Sequence, residues 1–367
     1  MASTITLSSW QKKQAALLYH FASFDYLKGL HERVHQLQDY VDATLNKSQS
    51  EGRDRFLRDA RWGNRDTSEN WGNHAWSFLA DFGLSVAKDM AARPSQIYSI
   101  TGANQCARGM AEFSLQWMTS TEEKKFDSLL ESVVRYARYI DTTMDKAHRA
   151  GRWNDFRLAM AWVDHSHLFN SLPVFKIRED INSETGEIPP KTGVYISTQH
   201  PEGSLQFAWN GNEYGKLKEC AIFNGIGSRA LNAVGRAKLW LDGNAMLEFV
   251  QKNLDAPELL EDSYFSKSHT PVLAPSLVGR NAFTSAPSKW CYVELVMGES
   301  EPVDAEPEKM TNLNQPGRFE SWEICELGGF YFTPATGSRR FFRMGELFPE
   351  TESIYGKTIW QWDDNQG

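Results

Sequence analysis

His31, Glu32 and His35 spell H-E-x-x-H in a segment whose apolar residues recur at helical spacing. On a helix that spacing sets two imidazoles one turn apart, the arrangement in which zinc hydrolases hold their metal, with the glutamate beside the metal-bound water as general base. The same segment carries an apolar stripe through Leu30 and Val34. The two histidines can therefore simply flank that stripe, with Lys28 and Glu32 as an ordinary i,i+4 ion pair. A zinc site needs a third protein ligand, and no downstream motif nominates one. His31 and His35 remain the candidate metal ligands; the reading preferred has no metal, no cofactor and no catalytic residue.

The other constellations are weaker. In Asp164-His165-Ser166-His167, His167 falls on the helical stripe and the other two point elsewhere, the pattern of a half-buried histidine and not of a ligand set. Gly356-Lys357-Thr358 resembles the tail of a phosphate loop, but Thr351 stands where that loop needs glycine, and a strand is expected to follow. There is no G-x-S-x-G elbow and no G-x-G-x-x-G after a strand. Cys106, Cys220, Cys291 and Cys325 are far apart with no C-x-x-C pair, so reduced, buried thiols are expected.

A binding profile remains. Residues 298–308 place Glu299, Glu301, Asp304, Glu306 and Glu308 in a proline-interrupted stretch between two expected strands. That stretch is either a solvated loop or an acidic lure for lysine and arginine on a partner. The solvated loop is the more ordinary of the two, and the charge of the chain is uneven: residues 1–180 carry +1 and residues 181–367 carry −9, which together give the chain's −8. An acidic half disfavours nucleic acid and favours a basic protein partner. Trp209 and Trp322 are candidate interface anchors. With 23% charged residues and a mean hydropathy of −0.50, a membrane-embedded protein is excluded, and 41% apolar content excludes a disordered one.

The elements that would position these residues divide the chain in two. Apolar residues from Leu17 to Leu45 predict one long helix from Ser9, and further stripes predict helices over 71–90, 105–117, from 120 to near 151, and over 156–167. Ser120 and Glu123 read as a capping box. After Pro173 come short aromatic and β-branched runs separated by glycine and proline: 193–197, 205–209, 289–297, 320–325, 329–333, 341–344 and 358–362 are the expected strands. One helix interrupts them, at 227–234, or a pair that extends through 245–252. The fold class is α+β, a helical bundle-like region over 1–175 followed by an antiparallel β-rich domain over 176–367. Within SRRFFRMGE, Arg339, Arg340 and Glu346 are expected to form strand-edge ion pairs that hold the fold.

Three runs carry a resemblance: GVYISTQHPEGSLQFAWNG (193–211), FNGIGSRALNAVGRAKLWLDGNAM (223–246) and FYFTPATGSRRFFRMGELFPETESIYGKTIWQW (330–362). They resemble bacterial polymorphic-toxin immunity proteins of the immunity-protein 71/72 group. The resemblance implies an inhibitor made beside a secreted antibacterial toxin, often one delivered by type VI secretion, acting by tight stoichiometric binding. The N-terminus MASTITLSSWQKKQ lacks the basic and apolar segments of a secretory signal, so a cytoplasmic protein is expected. The rival readings are an adaptor or chaperone that loads an effector for secretion, and the zinc hydrolase built on His31, Glu32 and His35.

Overall fold

Ser23 breaks the first apolar stripe into two helices, α1 (Ser9–Ala22) and α2 (Phe24–Ser50), where spacing alone predicts one. Its backbone is extended, and its hydroxyl accepts from the Tyr26 amide at 3.1 Å, so one serine ends α1 and caps α2. The computed structural model describes residues 6–58, 63–145, 152–263, 265, 270–303, 318–321, 323, 325, 329–333, 338–343, 346–350 and 358–363. A capping box opens α1: the Gln11 amide donates to Ser8 Oγ at 3.2 Å, and the Ser8 amide donates to Gln11 Oε1 at 3.0 Å.

The helical layer continues with α3 (Asp54–Arg58), α4 (Ser68–Ala92), α5 (Ala103–Met110), α6 (Ser120–Met144) and α7 (Asp155–His165). The capping box expected from Ser120 sits one residue earlier, with Thr119 as cap and Glu122 as its partner. Glu122 also takes Arg53 at 2.6 Å and Lys47 at 3.0 Å, and the Arg53 guanidinium holds its carboxyl well below the usual carboxylate range. Because α2, α4 and α6 turn their stripes inward, Leu30, Val34, Leu37, Leu79, Phe126, Val133 and Ile140 share one interior with Trp71 and Trp117.

The strands are β1 (Ser171–Glu184), β2 (Gly193–Ser197), β3 (Gln206–Ala208), β4 (Cys220–Phe223), β5 (Phe283–Ala286), β6 (Lys289–Pro302), β7 (Arg318–Glu320), β8 (Gly329–Thr333), β9 (Ser338–Phe342) and β10 (Ile359–Trp362). Between β4 and β5 run α8 (Gly225–Val234), α9 (Gly243–Lys252), α10 (Pro257–Leu260) and α11 (Ala274–Asn281), a richer insert than the one or two helices expected. Among the described residues all strand pairs are antiparallel, in sheets ordered β1-β6-β2-β3 and β7-β10-β8-β9 and a β4-β5 ribbon, so the class is α+β.

The boundary placed at residue 175 falls inside β1; the chain divides into units 1–304 and 305–367. The reason is α1, which packs against helices and first sheet together. Tyr19 Oη donates to the Val293 carbonyl at 2.5 Å, Gln11 Nε2 donates to the Pro201 carbonyl at 2.8 Å, and Gln14 Oε1 accepts from the Leu205 amide at 3.0 Å. Val194, Ile196, Phe207 and Val293 accordingly belong to the same apolar cluster as the helical stripes. A helical layer and a sheet that share one core form one unit.

Asp141 of α6 is a costly polar group inside that unit. It accepts from the Thr101 amide at 2.6 Å and from the Thr101 hydroxyl at 3.1 Å, yet burial, with Asp89 and Asp145 nearby, pushes its pKa up to about 6. A raised carboxyl pKa means that the fold prefers the neutral form. The stability it contributes is complete below pH ~4 and is lost as pH rises to ~6. In Asp141→Asn this loss is absent. The stability difference between variant and wild type should therefore shift towards the variant by about 1–3 kcal/mol between pH 4 and pH 7, read from urea midpoints. A difference that stays flat across that range would refute it.

Candidate functional site

His31 and His35 lie on the outer side of α2 with their Nε2 atoms 3.1 Å apart. Burial and the second imidazole lower the pKa of His31, and Glu32 opposes them. Lys28 and Glu32 form the expected i,i+4 pair at 3.9 Å, too exposed to count for much. Among the described residues no group of three or more His, Cys, Asp and Glu converges as a metal site, so the motif supplies two donors and no third.

In the 164–167 run the helix ends at His165, and it is His165, not His167, that faces inward. Its Nδ1 lies 2.9 Å from the Ala161 carbonyl, and its ring packs edge-on against Phe21 and Tyr139. Asp164 accepts from the Tyr139 hydroxyl. Trp209 is no interface anchor: it is buried, and its indole donates to Asn212 Oδ1 at 2.9 Å. Trp322, Gly356 and Lys357 lie outside the described residues. All four cysteines are free and buried, and burial pushes the Cys106 and Cys220 thiols up to about 12, far from nucleophilic.

The acidic stretch begins in a strand and not in a loop. β6 continues through Pro302, with Glu301 opposite Leu172 and Ser300 opposite Pro173 of β1. The register then jumps to Val296 opposite Val174, so Met297, Gly298 and Glu299 bulge out, with Gly298 at φ 79° as such a turn requires. Glu299 is exposed on that bulge. Glu301 is used internally, in a 2.8 Å ion pair with Lys12 of α1. Asp304, Glu306 and Glu308 lie outside the described residues.

A different surface emerges in unit 305–367. In the sheet β7-β10-β8-β9, alternate side chains separate cleanly. Tyr331, Phe342 and Trp360 turn to one face and are buried with Phe348 and Cys325. The other face presents Phe330 and Phe332 of β8, Phe341 of β9 and Ile359 of β10, of which Phe332, Phe341 and Ile359 are 36%, 50% and 37% exposed. Phe330 meets Phe341 edge-on at 5.2 Å. Arg339 lies 3.9 Å over the Phe330 ring and forms an ion pair with Asp363, so the face has a neutralised charge across an aromatic row. On the opposite side Arg340 pairs with Glu346 at 2.6 Å. The three residues singled out in SRRFFRMGE thus form intramolecular ion pairs. The aromatic row was not foreseen, although F-Y-F and R-F-F display the period-two signal that would have located it.

No family model, curated protein or solved structure matches the chain. Its chemistry must be argued from the residues themselves. Single exposed apolar residues are ordinary, but a contiguous aromatic face on a small sheet is the kind of surface that partners cover. No helix among the described residues is long and apolar enough to cross a membrane.

Proposed function

We propose that this chain is an immunity protein that binds a cognate, basic, secreted antibacterial toxin in the cytoplasm and neutralises it by stoichiometric occlusion. The observation that carries the reading is the open apolar row of Phe330, Phe332 and Phe341 with Ile359, which lies within the segment 330–362 that resembles such proteins. Aromatic side chains held on a rigid sheet make large contacts at little entropic cost, which is what interface anchors do. The unit bearing them has ten Asp and Glu against six Lys and Arg, so its field attracts a basic partner and hastens encounter. Glu299, on its bulge, is a second point at which such a partner could be steered.

The test is a co-expression rescue. A toxin candidate encoded beside this chain is induced in a sensitive bacterium with and without it, and the two proteins are then co-purified. Survival together with a stable one-to-one complex is the expected outcome. Death despite soluble expression of this chain, repeated across neighbouring candidates, would end the immunity reading. A complex needed for export of the partner but not for survival would replace it with the adaptor.

A further inference from the structure

In unit 1–304 a cavity of about 660 Å³ opens where the end of α6 and the start of α7 meet β3, β5 and α11. This is the size range of small-molecule sites. Its wall is aromatic at Phe207 and Phe283 and cationic at Arg152, Arg157 and Arg280. Arg280 pairs with Asp262 at 3.1 Å, and the two carboxylates of the wall, Asp145 and Glu219, have contacts of their own.

Arg157 differs from its neighbours. Its amide donates to the Asn154 cap at 2.9 Å, but its guanidinium makes no ion pair or hydrogen bond among the described residues. Burial and nearby Arg138 both act against its charge, and no acid offsets them. In the same wall Ser204, only 3% exposed, has an Oγ without a hydrogen-bond partner. A half-buried cation and a buried hydroxyl left unsatisfied are each costly, and two in one cavity are the mark of a place a ligand completes.

We infer that this cavity is a binding site for a small organic anion, a planar molecule with one phosphate or carboxylate group. The anionic group sits on Arg157, with Ser204 in the same wall, and the planar body lies against Phe207 and Phe283. The guanidinium fork matches either oxyanion, so the headgroup chemistry is shared, and the probes distinguish the two. The cavity lies in unit 1–304, and the proposed toxin-binding face in unit 305–367.

Calorimetric titration of the full chain with adenosine 5′-monophosphate, indole-3-acetate and inorganic phosphate tests it, at probe concentrations up to about 1 mM. At least one organic probe is expected to bind, and inorganic phosphate more weakly. Arg157→Gln should lose about tenfold or more in affinity, and Arg157→Lys less, because one charge-assisted contact remains. Ser204→Val, which removes the hydroxyl and fills the space, should also weaken binding. The unliganded Arg157→Gln protein should melt no lower than wild type, since the charge it removes is uncompensated. Absence of binding by all three probes, unchanged binding in both Arg157→Gln and Ser204→Val, or a lower melting point for Arg157→Gln would each overturn the assignment.

Discussion

Asp155→Ala should cost about 3–5 kcal/mol of folding stability, the typical loss when one partner of a buried ion pair is removed. Asp155 is 2% exposed at the start of α7, and its two oxygens serve four close contacts. Trp10 Nε1 of α1 donates to Oδ2 at 2.7 Å, Trp240 Nε1 donates to Oδ1 at 2.7 Å, and Arg236 Nη1 reaches both oxygens at 2.8 and 2.7 Å. Truncation leaves two indole N–H groups and Arg236 Nη1 without their acceptor, although Arg236 Nη2 keeps Glu202 at 2.6 Å, so the penalty is the desolvation of several donors and not the worth of one bond. The carboxylate joins the first helix to the segment between α8 and α9, where Trp240 is held at φ 71°. Asp155→Asn keeps one acceptor oxygen but turns an amide donor towards donors, and should recover only part of the loss. Urea midpoints of the three proteins decide it. A loss below about 1 kcal/mol for Asp155→Ala would mean that water replaces the carboxylate.

This contact explains why the sequence suggested a boundary near residue 175 that the structure does not have. Composition changes there, from helical stripes to glycine-punctuated strands, and those local patterns are legible: 193–197 and 329–333 are strands at the expected limits. What local pattern cannot express is which surfaces meet. Asp155, Tyr19 and Gln14 tie helices to later segments 85, 274 and 191 residues further along the chain, and nothing in their spacing announces it. β1 was missed for a related reason. Its 14 residues include K-I-R-E-D, and Glu179, Asp180 and Ile181 fall in a register shift, so the two-residue alternation breaks. It is an edge strand with charged residues, which suits an edge and hides a strand.

The site was less legible than the fold. Carboxylates between 298 and 308 attract notice because charge is easy to see in a sequence, yet Glu301 is engaged with Lys12 and only Glu299 of the described acids stands exposed. Aromatic residues attract less, because most are core: Trp71, Trp117, Trp209 and Trp290 are all fully buried. Whether a phenylalanine faces core or solvent depends on strand register, and Phe341 and Phe342 differ by one residue and by half their surface. Arg157 is the same lesson in charge. Nothing in D-F-R-L separates it from a solvated arginine until the cavity around it is seen.

That one-residue difference gives the decisive test of the proposed binding face. Phe341→Glu replaces an exposed aromatic with a charge, on a unit already acidic, and should weaken toxin binding by about 2–4 kcal/mol, the range of an interface hot spot. Rescue in the co-expression assay should fail with it. Folding should barely change, within about 1 kcal/mol, because half the ring already meets water and what is lost inside the fold is its edge contact with Phe330. Phe342→Ala is the control of opposite sign. Its fully buried ring packs on Tyr331, Phe348 and Trp360, so it should destabilise the fold by about 3–5 kcal/mol and impair rescue only through the folded fraction. A Phe341→Glu protein that folds, binds and rescues like wild type would move the contact off this face, and Glu299→Lys would then ask whether the acidic bulge carries it. If Phe341→Glu alone fails, the aromatic row supplies the affinity, and the acidity of the second half serves mainly to speed the encounter.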